Sequence, residues 1–150
     1  MSGITNELSI SRYIDAPPSL VWQIITERLP EWWCPVPWRA EVDAIEWKAG
    51  GVFNTTMFGP DGEVHVNEGI FLDVEPGRRF VCTDAIKQGW YPQKAFMIGI
   101  FELEAEGNGT RYTASARHWS VDDMEQHRQM GFVEGWSAVA DQLAALAEAS

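Results

Sequence analysis

Residues 14–37, IDAPPSLVWQIITERLPEWWCPVP, constrain the fold more than any other part of the chain. A half-alternating run (Leu8, Ile10, Ile14) stops at Asp15-Ala16-Pro17-Pro18. A short apolar helix follows, and Pro30 ends it, because proline removes a backbone donor and clashes with the preceding turn. Trp32-Trp33-Cys34-Pro35 come next, with Trp38 close behind. A strand, a tight turn, a helix and a Trp-loaded loop are therefore compressed into few residues. Three indoles on a proline-rich loop are costly to expose, so they either plug a core or wall a pocket.

The middle of the chain is cut by strong turn signals: Gly50-Gly51, Gly59-Pro60-Asp61-Gly62, Glu75-Pro76-Gly77 and Glu106-Gly107-Asn108-Gly109. Between them lie period-two runs at 41–47, 52–58, 64–74, 79–86, 94–104 and 110–117. With the first strand near 8–14 this predicts seven strands, and the short breaks favour an antiparallel meander. The end of the chain changes period. Ser120 with Asp123 three residues on reads as a capping-box start. Phe132, Trp136, Val139, Leu143 and Leu146 then recur at helical spacing. One long helix from Ser120 is expected, with Glu134 and Asp141 on its wetter side. Gly131 and Gly135 would each cost that helix about 1 kcal/mol, which points to a close approach of another surface or to a bend.

Strand, one or two short helices, about six antiparallel strands and a long helix make an α+β chain, expected as one domain over residues 1–150. The concave face of such a sheet needs a cover, and only the last helix is long enough to supply it.

Composition narrows the functional classes. Of the 150 residues 12% are aromatic, including eight Trp, which suits a structure that lines an interior space as well as filling a core. The formal net charge is −11, and the lysines (Lys48, Lys87, Lys94) are scattered, which speaks against nucleic acid and against anionic lipid surfaces. Residues 1–7 are polar, with no apolar leader core, and no run is long enough to span a membrane. The expectation is a cytoplasmic chain with Cys34 and Cys82 as free thiols.

Several motifs together resemble a known family. They are Ala16-Pro17-Pro18, Val21-Trp22, Trp32-Trp33-x-Pro35, Ala49-Gly50-Gly51, Gly59-Pro60-Asp61-Gly62, residues 69–76 with Arg79, residues 109–113, and Gly135-Trp136. In this order and spacing the chain is similar to the activator of heat shock protein 90 ATPase homologue 1-like family. That family belongs to the START-like, Bet v-like helix-grip superfamily, also called SRPBCC. The resemblance implies a curved antiparallel sheet of six or seven strands wrapped on a long C-terminal helix, with two short helices after the first strand. It also implies an internal cavity, since superfamily members bind lipids, sterols, hormones or polyketides and a few are cyclases. Family co-chaperones carry an additional N-terminal domain, which a chain of 150 residues is not expected to hold. Fold alone does not name the function.

The favoured reading is a domain holding a small apolar or amphipathic molecule, with no cofactor and no metal. Trp33, Phe53, Met57, Phe96, Ile98, Phe132 and Trp136 would supply apolar contact. Glu68 and His118 would supply polar orientation. On strict alternation Glu68 shares a face with Ile70, Leu72 and Val74, whereas a bulge before Gly69 would return it to water. His118 continues the stripe Tyr112, Ala114, Ala116; His65 and His127 read as solvent-facing. The alternatives are a cyclase- or hydrolase-type enzyme using Glu68 with His118, and a co-chaperone or interaction module. Catalytic residues stay unassigned, and an exposed sheet edge would permit a homodimer. Neither HExxH nor CxxC occurs, and Glu63 with His65 is the one strand-borne pair of possible ligands. The Arg78-Arg79 pair would bind an anion or hold its loop.

Overall fold

The computed structural model describes residues 6–150. Strand β1 (Glu7–Ile14) leads into helix α1 (Pro18–Glu27) and a 3-10 turn (Leu29–Glu31). Strands β2 (Arg39–Ile45), β3 (Val52–Phe58), β4 (Val64–Glu75) and β5 (Arg79–Thr83) follow. A small hairpin, β6 (Ile86–Lys87) and β7 (Tyr91–Pro92), precedes β8 (Ile98–Glu106) and β9 (Gly109–Arg117). Helices α2 (Val121–Gln129) and α3 (Phe132–Glu148) end the chain. The main sheet has seven strands in the order β1-β9-β8-β5-β4-β3-β2, and every pairing is antiparallel.

This is the expected helix-grip arrangement. β1 and β2 lie at opposite edges, so α1 and the Trp loop carry the chain across one end of the sheet. Pro18 opens α1, where a missing N–H costs nothing. Val21, Ile24 and Ile25 of α1 are buried against Ile14 and the C-terminal half of α3. That half presents Ala140, Leu143, Ala144 and Ala147, a mostly small-residue stripe that permits close packing.

Register shifts between Val42 and Ala44 and between Phe71 and Asp73 put bulges into β2 and β4, which bend those strands and increase their twist. The bulge in β4 also changes which side chains face inward. Phe71 is fully buried and Leu72 is exposed, yet Val74 packs on the core.

The C-terminal segment departs from the single expected helix. The Ser120 side chain caps α2, accepting from Asp123 N at 3.1 Å. The chain then turns at Gly131, whose φ of +93° is open to glycine and strained for other residues. α3 begins anew at Phe132. Gly135 has nothing within 4 Å of where a Cβ would sit, so it marks open space and not the expected close approach. Gly69 is the opposite case: a Cβ there would lie 2.4 Å from the Thr83 backbone oxygen.

No helix among the described residues is long and apolar enough to cross a membrane. Gly69→Ala should destabilise the fold by about 1–3 kcal/mol, because a backbone atom has to give way. Gly135→Ala should instead raise stability by up to about 1 kcal/mol through helix propensity. Denaturant unfolding of the two variants against wild type checks both signs.

Candidate functional site

A cavity of about 590 Å³ lies between the concave sheet face and the α2–α3 roof. β3 contributes Phe53, Thr55 and Met57 to its floor, and β4 contributes His65, Asn67 and Gly69. These are cross-strand partners: Phe53 opposes Gly69, Thr55 opposes Asn67 and Met57 opposes His65. Cys82, Phe101 and Tyr112 continue the floor on β5, β8 and β9. His127, Met130, Phe132, Gly135, Trp136 and Val139 form the roof. Trp33, Cys34, Pro35 and Trp38 close one side, and Phe96 with Met97 close another.

The two adjacent indoles divide the two roles foreseen for them. Trp32 is fully buried in the core beside α1. Trp33 lines the cavity, with ring centroids 5.2 Å from Phe53 and 5.5 Å from Phe101. Phe101 in turn stacks on Trp136 of the roof at 5.5 Å and 12°. The Trp loop is pinned to α3 by Gln142, whose amide nitrogen donates to the Cys34 carbonyl at 2.9 Å and whose oxygen accepts from Val36 N at 2.9 Å.

Of the nine expected site residues, Trp33, Phe53, Met57, Phe96, Phe132 and Trp136 line the cavity with Glu68 at its border. Ile98 does not line it. The inward phase of β8 runs through Gly99, Phe101 and Leu103, which sends Ile98 to the other face. Glu68 opposes Asn54 on the face away from Phe53, and its carboxylate meets Lys87 of the small hairpin at 3.5 Å. Gln93 from the same hairpin segment donates to the Glu68 carbonyl at 2.9 Å.

His118 is buried but stands behind the cavity wall. Its Nδ1 lies 2.9 Å from the Asn6 carbonyl oxygen and its Nε2 lies 2.8 Å from Nδ1 of His127. Glu68 and His118 are thus engaged with different partners, and no acid–base pair forms between them. Arg79 is tied to Asp73 and Glu75, so the Arg78-Arg79 pair holds its turn. No group of three metal-ligating side chains occurs among the described residues.

His127 is the residue that sequence reasoning placed wrongly. It is not solvent-facing: it is 7% exposed and lines the cavity. Its ring sits against Phe96 (4.8 Å), Phe132 (5.1 Å) and Trp136 (5.9 Å). Met124, one turn earlier and packed on the Leu8–Phe132 cluster, was the available signal for its facing. Burial among these rings, with a second contribution from His118, pushes the His127 pKa down to about 4.

Asp84, the two cysteines and Tyr112 are chemically quiet. The Asp84 carboxylate accepts from Phe96 N at 2.9 Å and Met97 N at 3.3 Å. Burial, then the nearby Asp84, pushes the Cys82 thiol up to about 12, and burial raises that of Cys34. Both cysteines stay protonated at neutral pH and are poor nucleophiles. Burial likewise raises the Tyr112 phenol. No lysine or arginine is part of the lining.

The family profile described as Activator of Hsp90 ATPase homolog 1-like protein matches residues 15–148. The chain belongs to this family. Among solved structures, the protein NE0264 from Nitrosomonas europaea is 34% identical, with a TM-score of 0.89 and coverage of 97% of this chain and 96% of that one. Ms6760 from Mycobacterium smegmatis is 26% identical at a TM-score of 0.79, covering 95% of this chain and 90% of its own. A protein from Arthrobacter aurescens is 26% identical at 0.83, covering 97% and 88%. No protein of curated function matches the chain. Membership in the Activator of Hsp90 ATPase homolog 1-like family accounts for the sheet and the grip helix.

The depressed pKa of His127 sets a pH dependence. Unfolded, the ring takes up a proton near its ordinary value of 6.5; folded, it does so only near 4. The unfolded state therefore binds the proton first, and stability falls as pH drops through that window, by at most about 3 kcal/mol. His127→Phe removes this component. Thermal melts from pH 7.5 to 4 should show wild type losing stability on the variant across the window. A constant gap would overturn the assignment.

Proposed function

We propose that the domain holds a small apolar or amphipathic molecule between the concave sheet face and the α2–α3 roof. The observation that carries this reading is the space itself. About 590 Å³ left open under a covering helix falls within the roughly 300–1,000 Å³ typical of small-molecule sites. Its walls are mainly aromatic and aliphatic, with few polar groups, as such sites require for affinity and orientation. Gly135 supports the same reading, because an alanine there would strengthen the helix and no contact opposes one.

An acid–base enzyme of cyclase or hydrolase type would need two polar groups converging on the guest. Glu68 is engaged by Lys87 and His118 by Asn6 and His127, so the pair that sequence reasoning nominated has no such arrangement. A holding role asks only for shape, dryness and a polar handle.

Native mass spectrometry of the purified protein, with a thermal-shift screen of apolar compounds, tests the proposal. A ligand present at about 100 times its Kd should add about 2.7 kcal/mol. For a chain of this size that raises Tm by about 5–10 °C. Gly135→Phe should fill the space, keep the circular dichroism of the wild type and lose the shift. If no compound stabilises the wild type, or if the variant retains full binding, the proposal fails.

A further inference from the structure

The cavity wall carries a ring nitrogen that the protein orients from behind and leaves without a protein partner, Nε2 of His127. His127 is 7% exposed and lines the cavity; its Nδ1 meets His118, and its Nε2 has no hydrogen-bond partner among the described residues. Its chemical character follows from what lies behind it. The Asn6 carbonyl oxygen can only accept, so Nδ1 of His118, 2.9 Å away, carries a hydrogen. In a neutral ring that leaves Nε2 of His118 as an acceptor. Nδ1 of His127, 2.8 Å from it, must then be the donor. The second nitrogen of His127 is left with a bare lone pair. No carboxylate bonds to either imidazole, and the surrounding rings of Phe96, Phe132 and Trp136 disfavour a charged form.

Resting on the cavity reading above, we infer that the guest is a neutral molecule bearing a hydroxyl group, an alcohol or a phenol, and that His127 Nε2 accepts its hydrogen bond. The Asn6–His118–His127 chain fixes the acceptor tautomer, which makes His118 a positioning residue. A guest with an ionised carboxylate or phosphate is disfavoured twice. It offers no proton to the lone pair, and the lining holds no lysine or arginine to meet its charge. An ether of the same shape would fill the space but leave Nε2 dry and unpaired, the situation that most strongly penalises a buried polar group.

The test compares 2-naphthol, its methyl ether and 2-naphthoate by isothermal titration calorimetry at pH 7.5. The naphthol should bind about ten-fold or more tightly than either of the others. In His127→Phe the naphthol and the ether should bind alike. In His118→Phe, where the tautomer is no longer fixed, the preference for naphthol should shrink while affinity for the ether stays the same. A packing role for His118 would weaken both equally. Nitrogen-15 NMR of the wild type gives a readout that needs no variant: His127 should show a protonated Nδ1 and an unprotonated Nε2. The reverse tautomer, equal binding of naphthol and ether to the wild type, or tightest binding of naphthoate each overturn this inference and leave the cavity reading intact. If none of the three binds and no other apolar compound stabilises the fold, the cavity reading itself fails.

Discussion

The two halves of α3 meet the rest of the protein in different ways, and the cavity depends on that difference. The C-terminal half presents Ala140, Leu143, Ala144 and Ala147 to β1 and α1, and small side chains let the backbones come close. The N-terminal half presents Phe132 and Trp136, with Gly135 between them. The helix is thereby anchored at one end. At the other it is propped away from the sheet on large rings, chiefly where Trp136 stacks on Phe101. Gln142, near the anchored end, ties the Trp loop to the same helix and fixes Trp33 as a side wall. A helix with small residues throughout would settle onto the sheet. One with large residues throughout would lose its seat on α1.

The pattern of elements was legible in the sequence, and the facing of individual side chains was legible only in part. Turn chemistry and period-two runs give the seven strands, and the stripe from Phe132 to Leu146 gives the covering helix. What misleads is any local change of phase. Reading β4 as one unbroken alternation puts Glu68 with Ile70, Leu72 and Val74. The bulge between Phe71 and Asp73 breaks that series, so the inward set is His65, Asn67, Gly69 and Phe71 before it and Val74 after it. A bulge arises from pairing with a neighbouring strand and leaves little trace in the strand's own residues. Ile98 fails for a related reason: the phase of β8 is set by Phe101, three residues further on.

The roof shows the same limit from another side. A capping box and an apolar stripe read most simply as one helix. Gly131, in the left-handed region, breaks it and lets α2 leave the line of α3. His127 lies off the stripe of a continuous helix, yet in the broken one it turns inward beside Phe132 and Trp136. Gly131 was visible in the sequence; which of bend or close approach it served was decided by tertiary packing.

Four of the groups around the cavity that could do chemistry, Glu68, Asp84, Cys34 and Cys82, have been quietened by the fold. Asp84 spends its carboxylate on the backbone of Phe96 and Met97, and Glu68 is turned to Lys87. Cys34 and Cys82 are held as thiols by burial. His127 is buried where charge is disfavoured, and it bonds to His118 before anything in the cavity. Burying polar atoms without partners costs stability, so a wall built this way tends toward saturation. The Nε2 acceptor of His127, on a residue 7% exposed and oriented through two linked rings from a backbone carbonyl, is left for something in the cavity to complete. An acceptor whose direction is set from behind by two linked rings is therefore a sharper specificity signal than the volume or the aromatic content of the cavity, which many guests would satisfy equally.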